Sequence, residues 1–255
     1  MRGLLKTILL LVFGKSLRIM KMRRGLFRGI RLKIDPARQL FLIVRDIEPY
    51  LQKIMQKHIK HNDIVFDIGS NIGYTSIAMS KIVGDSGLVY AFEPVPTNID
   101  DFKTNIALNK CNNITLISKA LSNVNEITNF RIPEMGKNLS MASMIWHKKD
   151  DSVLTLQLET IILDENQHLK DLTPSFIKID VEGAEGKVIL GIQNLIKRSR
   201  PVIFIECSKN GRENVWKVLK DLNYHCFNSK DICREILDIN DYRSDDFLWI
   251  PELSN

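Results

Sequence analysis

Asp67, Glu93, Ser118, Asp180, Glu182 and Glu206 stand at or just past the ends of short, mostly apolar runs. A carboxylate there costs stability unless hydrogen-bond donors or a ligand meet it. One such acid could cap a helix; five along one edge point to a site. The first belongs to Asp67-x-Gly69-x-Asn71-x-Gly73 within IVFDIGSNIGYTS, Ile64 to Ser76. Gly69 permits a tight turn, and Gly73 lets helix and strand approach closely. Counted from Gly69, the middle and last glycines of G-x-G-x-x-G are missing, so the turn is not shaped for a pyrophosphate. Asp67 repels phosphate and suits a cation. Twenty-four residues past Gly69, Glu93 ends the run LVYAFEP, where an acid suits the two hydroxyls of a ribose. A nucleoside carrying positive charge and no phosphate fits both features, which argues for S-adenosyl-L-methionine.

Such residues need a frame. Apolar runs at Ile64–Gly69, Leu88–Glu93, Ile114–Ala120, Phe176–Val181 and Val202–Glu206 read as strands. Helical patterns fall between them at Ile72–Val83, Pro96–Asn109, Glu185–Lys197 and Arg212–Leu222. This alternation predicts a parallel sheet with helices on both faces. Ligands in such a sheet bind beyond the carboxyl ends of the strands, where the strand order reverses. Asp46–Lys60 reads as an amphipathic helix with Asp46 as N-cap and Ile47, Leu51, Ile54, Met55 and Ile59 on one stripe. Tyr224–Asn228 and Phe247–Ile250 close the sheet as a final hairpin. Between residues 121 and 159 the rhythm breaks into two strands, Ile127–Ile132 and Val153–Leu158. The long tip between them carries Met141, Met144, Ile145, Trp146 and His147, and reads as a substrate lid.

Charge divides the chain. Up to Arg45 there are twelve basic residues opposed by Asp35 alone, a net of +11, which leaves −5 for the rest of a chain whose total is +6. The expected organisation is therefore a basic, partly apolar N-terminal extension (1–45) and one catalytic domain (46–255). Leu4–Phe13 is apolar apart from Lys6 and Thr7, and too short to span a bilayer, which takes about 20 residues. Either this segment lies in an anionic membrane interface, with residues 1–33 supplying apolar and basic groups, or it caps the domain. Nucleic acid is not expected as a partner. Four cysteines without metal-site spacing suit reduced thiols in a cytoplasmic protein, peripheral at the inner membrane face if the extension binds lipid.

Three segments carry a resemblance: VFDIGSNIGYTSIAMS, YAFEPVPTNIDDFKTNIALN and FIKIDVEGAEGKVILG, the last followed by FIE. Over roughly Asn62 to Cys207 the sequence resembles the FkbM family of S-adenosylmethionine-dependent methyltransferases. The resemblance implies an α/β, Rossmann-like methyltransferase fold: a doubly wound, mostly parallel seven-stranded sheet with an antiparallel last strand. It implies O-methylation of a hydroxyl on a sugar, glycoconjugate or related metabolite. Asp67, Gly69, Ser70, Asn71 and Gly73 would line the methionine and ribose part of the cofactor. Glu93 would take the ribose hydroxyls, with Pro94 and Asn98 near the adenine, and Asp180 and Glu182 would face the transferred methyl. Ser70 stands where many relatives carry alanine.

Transfer to an alcohol needs its oxygen held in line with the methyl carbon, at about 3 Å, and a base within hydrogen-bond reach of its proton. Asp180 is the first candidate. Glu182, two residues on, shares its face if the chain stays extended, and closeness would raise one of the two pKa values. Asp180 could instead bind the sugar or cap the helix from Glu185. His147 is a rival base, and Asp180 with Glu206 could hold a divalent cation, although no metal is assigned. Two other functions compete: a nicotinamide-dependent oxidoreductase, disfavoured by the missing glycines, and a non-catalytic nucleoside-binding or membrane-associated module.

Overall fold

The computed structural model describes residues 17–133, 153–207, 211–240 and 245–252. The run Leu4–Phe13 and the insertion residues Met141, Met144, Ile145, Trp146 and His147 lie outside them. The described chain opens with an antiparallel hairpin, β1 (Arg18–Lys21) and β2 (Arg31–Ile34), and two helices, α1 (Pro36–Val44) and α2 (Pro49–His58). Strand and helix then alternate through β3 (Ile64–Ile68), α3 (Tyr74–Val83), β4 (Leu88–Phe92), α4 (Pro96–Leu108) and β5 (Ile114–Ile117). A small separate sheet follows from β6 (Ala120–Leu121), β7 (Glu126–Pro133) and β8 (Val153–Ile161). The alternation resumes with β9 (Phe176–Ile179), α5 (Glu185–Gly191), α6 (Gln193–Ser199), β10 (Val202–Glu206) and α7 (Arg212–Asp221). It ends in β11 (Tyr224–Asn228), β12 (Asp231–Ile236) and β13 (Asp246–Pro251).

The main sheet runs β12-β11-β13-β10-β9-β3-β4-β5. The five strands from β10 to β5 are parallel, and β13 runs antiparallel to both its neighbours. This is the expected doubly wound, mostly parallel sheet with an antiparallel last strand. It carries an eighth strand, because β12 adds to the β11 edge. Asp231, Arg234 and Glu235 hide that strand from an apolar-run reading, and charges suit an edge. The central strands are buried on both faces, hence their nearly continuous apolar runs. From β3 the chain steps outward to β4 and β5, then returns to the opposite side of β3 as β9. The reversal point is the β3–β9 seam.

Three local expectations change. Asp46 does not cap α2: Glu48 holds that position in the left-handed region (φ 47°), while Asp46 accepts a hydrogen bond from the Gln52 side chain at 2.8 Å. The helix expected over Glu185–Lys197 breaks at Ile192. Asp164, remote in sequence, receives the Asn194 and Leu195 backbone N–H groups at 2.7 and 2.9 Å and so caps a second helix. The strand expected over Ile114–Ala120 stops at Ile117, and Ala120 pairs with β8 instead.

Apolar side chains pack on both sheet faces. On one, Phe27, Ile30, Leu32, Ile34, Leu42 and Ile43 join Leu51, Ile54 and Met55 of α2 and Ile77 and Met79 of α3. The hairpin and α1 thus contribute to the core, with Phe27 fully buried. Among the described residues no helix is long and apolar enough to cross a membrane. Among the described residues, Cys111, Cys207 and Cys226 are in no disulfide.

Candidate active site

At the carboxyl end of the β3–β9 seam lies a cavity of about 320 Å³. Its first wall is the turn after β3. Gly69 sits at φ 80°, and a Cβ there would stand 1.8 Å from the Asp180 carbonyl oxygen, so the turn closes against the end of β9. The Gly69 and Ser70 N–H groups both donate to the Phe92 carbonyl, at 2.9 and 3.0 Å, which ties the turn to β4. Asn71, itself left-handed at φ 51°, donates its N–H to Glu93 Oε2 at 2.9 Å. Gly73 (φ 87°) leads into α3 and does not line the cavity. A Cβ there would fall 2.7 Å from the Phe102 ring, so the close approach it permits is to α4 rather than to a strand.

Glu93 forms the second wall. It is buried, and its Oε1 accepts from Val95 N–H at 3.1 Å and Asn98 Nδ2 at 3.0 Å. Burial raises its pKa, and the three donors oppose that rise. A carboxylate offers about four acceptor positions, so one remains for a hydroxyl. Pro94, Val95 and Asn98 line the cavity beside it.

The sheet register explains the floor. Asp67 of β3 stands directly opposite Lys178 of β9, and Asp180 lies just past the end of β9. Asp67 is fully buried, accepts the Ser76 hydroxyl and lies 3.6 Å from Lys178 Nζ. It stands behind the residues that line the cavity. Lys178 does line the cavity and donates to Asp180 Oδ2 at 3.2 Å. Burial works against its charge, but Asp180, Asp67 and Glu48 outweigh burial and keep it protonated.

Three more carboxylates complete the lining. The chain does not stay extended past Asp180: Glu182 is left-handed at φ 55°, followed by Gly183 at φ 106°. The expected shared strand face is therefore lost, yet the turn still brings Glu182 into the same cavity as Asp180. Burial, then Asp180 and Glu185, push Glu182 up to about 7. Glu206, at the end of β10, keeps part of its surface in solvent; desolvation of the rest, then Asp180, Asp246 and Glu182, push it up to about 8. Glu48 reaches in from the start of α2. Its Oε1 accepts from the Tyr74 hydroxyl at 2.6 Å, and burial raises its pKa. Among the described residues no group of three or more His, Cys, Asp and Glu side chains is arranged to hold a metal ion.

The turn residues Gly69, Ser70 and Asn71 thus meet Glu93, Pro94, Asn98, Asp180 and Glu182 around one space. Sequence reasoning passed over Glu48, Tyr74 and Lys178. The lysine alone left a signal, as a charge inside the buried strand FIKI. Glu48 lies before the first strand of the parallel sheet, and nothing local to it shows where α2 begins relative to the cavity. The donor set fits S-adenosylmethionine. Lys178 is outnumbered by Glu48, Asp180, Glu182 and Glu206, which favours a cation, and Glu93 keeps an acceptor position for a ribose hydroxyl.

Residues 67–243 match the model of the methyltransferase FkbM domain. The chain is 35% identical over 71 residues to the protein-L-isoaspartate O-methyltransferase of Fervidobacterium nodosum, covering 27% of this chain and 36% of that one. It is 23% identical over 211 residues to an uncharacterised protein of Methanocaldococcus jannaschii, covering 81% and 72%. Among solved structures, an SAM-dependent O-methyltransferase of Thermotoga maritima superimposes with a TM-score of 0.51 at 12% identity, over 96% of this chain and 82% of that one. An FkbM methyltransferase of Methylobacillus flagellatus gives 0.46 at 16% identity, over 74% of this chain and 43% of that one. The chain thus spans less than half the length of the first curated relative and of the Methylobacillus protein. With the family model matching more than half of the chain, it belongs to the FkbM family of S-adenosylmethionine-dependent methyltransferases.

Proposed function

We propose that the chain methylates a hydroxyl oxygen of a sugar, glycoconjugate or related metabolite. The observation that carries this reading is the gathering of Asp180, Glu182 and Glu206 in the cavity that Glu93 also lines. Bound S-adenosylmethionine supplies an electrophilic methyl group on a cationic sulfur. The chain's residues have three tasks. The turn of Gly69, Ser70 and Asn71, with Glu93, Pro94 and Asn98, holds the nucleoside. Asp180, which accepts a hydrogen bond from Lys178, receives the attacking hydroxyl's hydrogen bond and takes its proton as the methyl transfers. Glu182 or Glu206, whose pKa values lie close to neutrality, then receives that proton from Asp180 and returns it to solvent. Two similar proteins are named as O-methyltransferases, in keeping with transfer to oxygen.

Incubation with tritium-methyl S-adenosylmethionine and a cell extract tests this, with the labelled product identified. Label in an alkali-stable methyl ether supports it. Label in an alkali-labile ester, or no label, overturns it.

We also infer that residues 1–33 meet an anionic membrane surface, which would place the protein peripherally at the inner, cytoplasmic face. Supporting this, residues 17–34 hold seven basic side chains and no acid. Leu17 and Ile19 expose 52% and 61% of their surface beside Arg18 and Lys21. Exposed apolar groups among basic ones suit headgroups and acyl chains.

A further inference from the structure

A side pocket of about 40 Å³ adjoins the main cavity and shares Glu48, Lys178, Asp180 and Glu206 with it. Its far wall is Ser229, just beyond the end of β11, and Asp246. Two polar atoms here are buried without a hydrogen-bond partner: Ser229 Oγ, on a residue only 4% exposed, and Glu48 Oε2. An unpartnered buried hydroxyl and carboxylate oxygen each cost free energy unless a ligand meets them. The volume exceeds the roughly 10–15 Å³ that one water requires, and suits a hydroxyl or hydroxymethyl group.

Charge narrows what enters. A second ammonium would lie beside Lys178, and an anion beside four carboxylates. A neutral hydroxyl escapes both penalties, because it donates to Glu48 and accepts from Ser229 or Lys178. Resting on the hydroxyl-methylation reading above, we propose that this pocket binds a second hydroxyl of the acceptor, adjacent to the one methylated, so that the acceptor is a vicinal diol. Asp180 and Glu206 border both spaces, so a group seated in the side pocket turns its neighbour toward the reacting end of the cavity.

The test uses the full chain, tritium-methyl S-adenosylmethionine and the hydroxyl-rich aqueous fraction of a cell extract. Ser229→Val fills the pocket and removes its hydroxyl; Ser229→Ala removes the hydroxyl alone and stands in if the valine variant does not fold. Transfer at limiting extract is expected to fall about tenfold or more, and to recover as extract is raised. Calorimetric affinity for S-adenosylhomocysteine stays that of the wild type. Periodate cleavage of diols in the extract, followed by borohydride reduction, abolishes acceptor activity for the wild type. Wild-type transfer by both variants, a parallel loss of S-adenosylhomocysteine binding, or a periodate-resistant acceptor each overturns the side-pocket proposal alone. A wild-type protein that labels no hydroxyl overturns the parent reading, and this one with it.

Discussion

Lys178 occupies a strand position buried on both faces, and its charge is compatible with that position because Asp67 and Asp180 flank it. Removing one partner of a buried ion pair leaves the other uncompensated. Lys178→Met should therefore lower unfolding free energy by about 3–5 kcal/mol in urea titration. Asp180→Asn should behave differently. It should keep S-adenosylhomocysteine binding by calorimetry and lose about 10²–10⁴-fold in transfer rate, since it removes an oxyanion from the reacting hydroxyl. Undiminished turnover would remove Asp180 from the mechanism. On the proposed mechanism, Glu182 and Glu206 set the pH dependence. Both carry raised pKa values, about 7 and about 8, so transfer should climb as pH rises through that interval and they become bases. Stability runs the opposite way. The folded state binds more protons than the unfolded chain between the ordinary value of 4.5 and the raised values. The contribution is complete below 4.5 and is lost as pH rises toward 8. Thermal melts of the ligand-free protein at pH 6 and 8.5 should show the lower midpoint at 8.5.

At the level of elements, the turn between β3 and α3 is the tightest constraint. Gly69→Ala adds a Cβ at positive φ against the Asp180 carbonyl, and should destabilise the protein by more than about 1 kcal/mol while weakening S-adenosylhomocysteine binding. The parallel strands and their acids were legible in the sequence, because strands buried on both faces must be almost wholly apolar and a polar terminus then stands out. Glu93 and the turn glycines were readable for the same reason. The break at Ile192 was not, since the capping Asp164 lies far upstream. Nor was the left-handed turn at Glu182, which depends on Gly183 and on packing beyond β9. Asp67 read as a ligand contact because its place at the end of an apolar run is shared by acids that face a cavity and by acids that brace one. The β3–β9 register sets Lys178 opposite it, a pairing that no local pattern announces.

On the scale of the whole molecule, the basic hairpin presents Arg18 and Arg28 to solvent beside the exposed Leu17 and Ile19. If this face meets anionic lipid, reversing Arg18 and Arg28 to glutamate should lower binding to phosphatidylglycerol vesicles, by about 1 kcal/mol per charge removed, in flotation at low salt. Unchanged flotation would remove the hairpin from any lipid contact. The same segment turns its other side inward: Phe27 is buried, Phe41 and Leu42 line the cavity, and Glu48 follows within a few residues. A version trimmed to the stretch that matches the family, starting at Asp67, would thus come to the bench with one side of its reaction chamber torn away and a raw apolar face under α3. Failure of such a fragment would reveal nothing about chemistry, because residues 17–66 hold up a wall of the cavity and one face of the core.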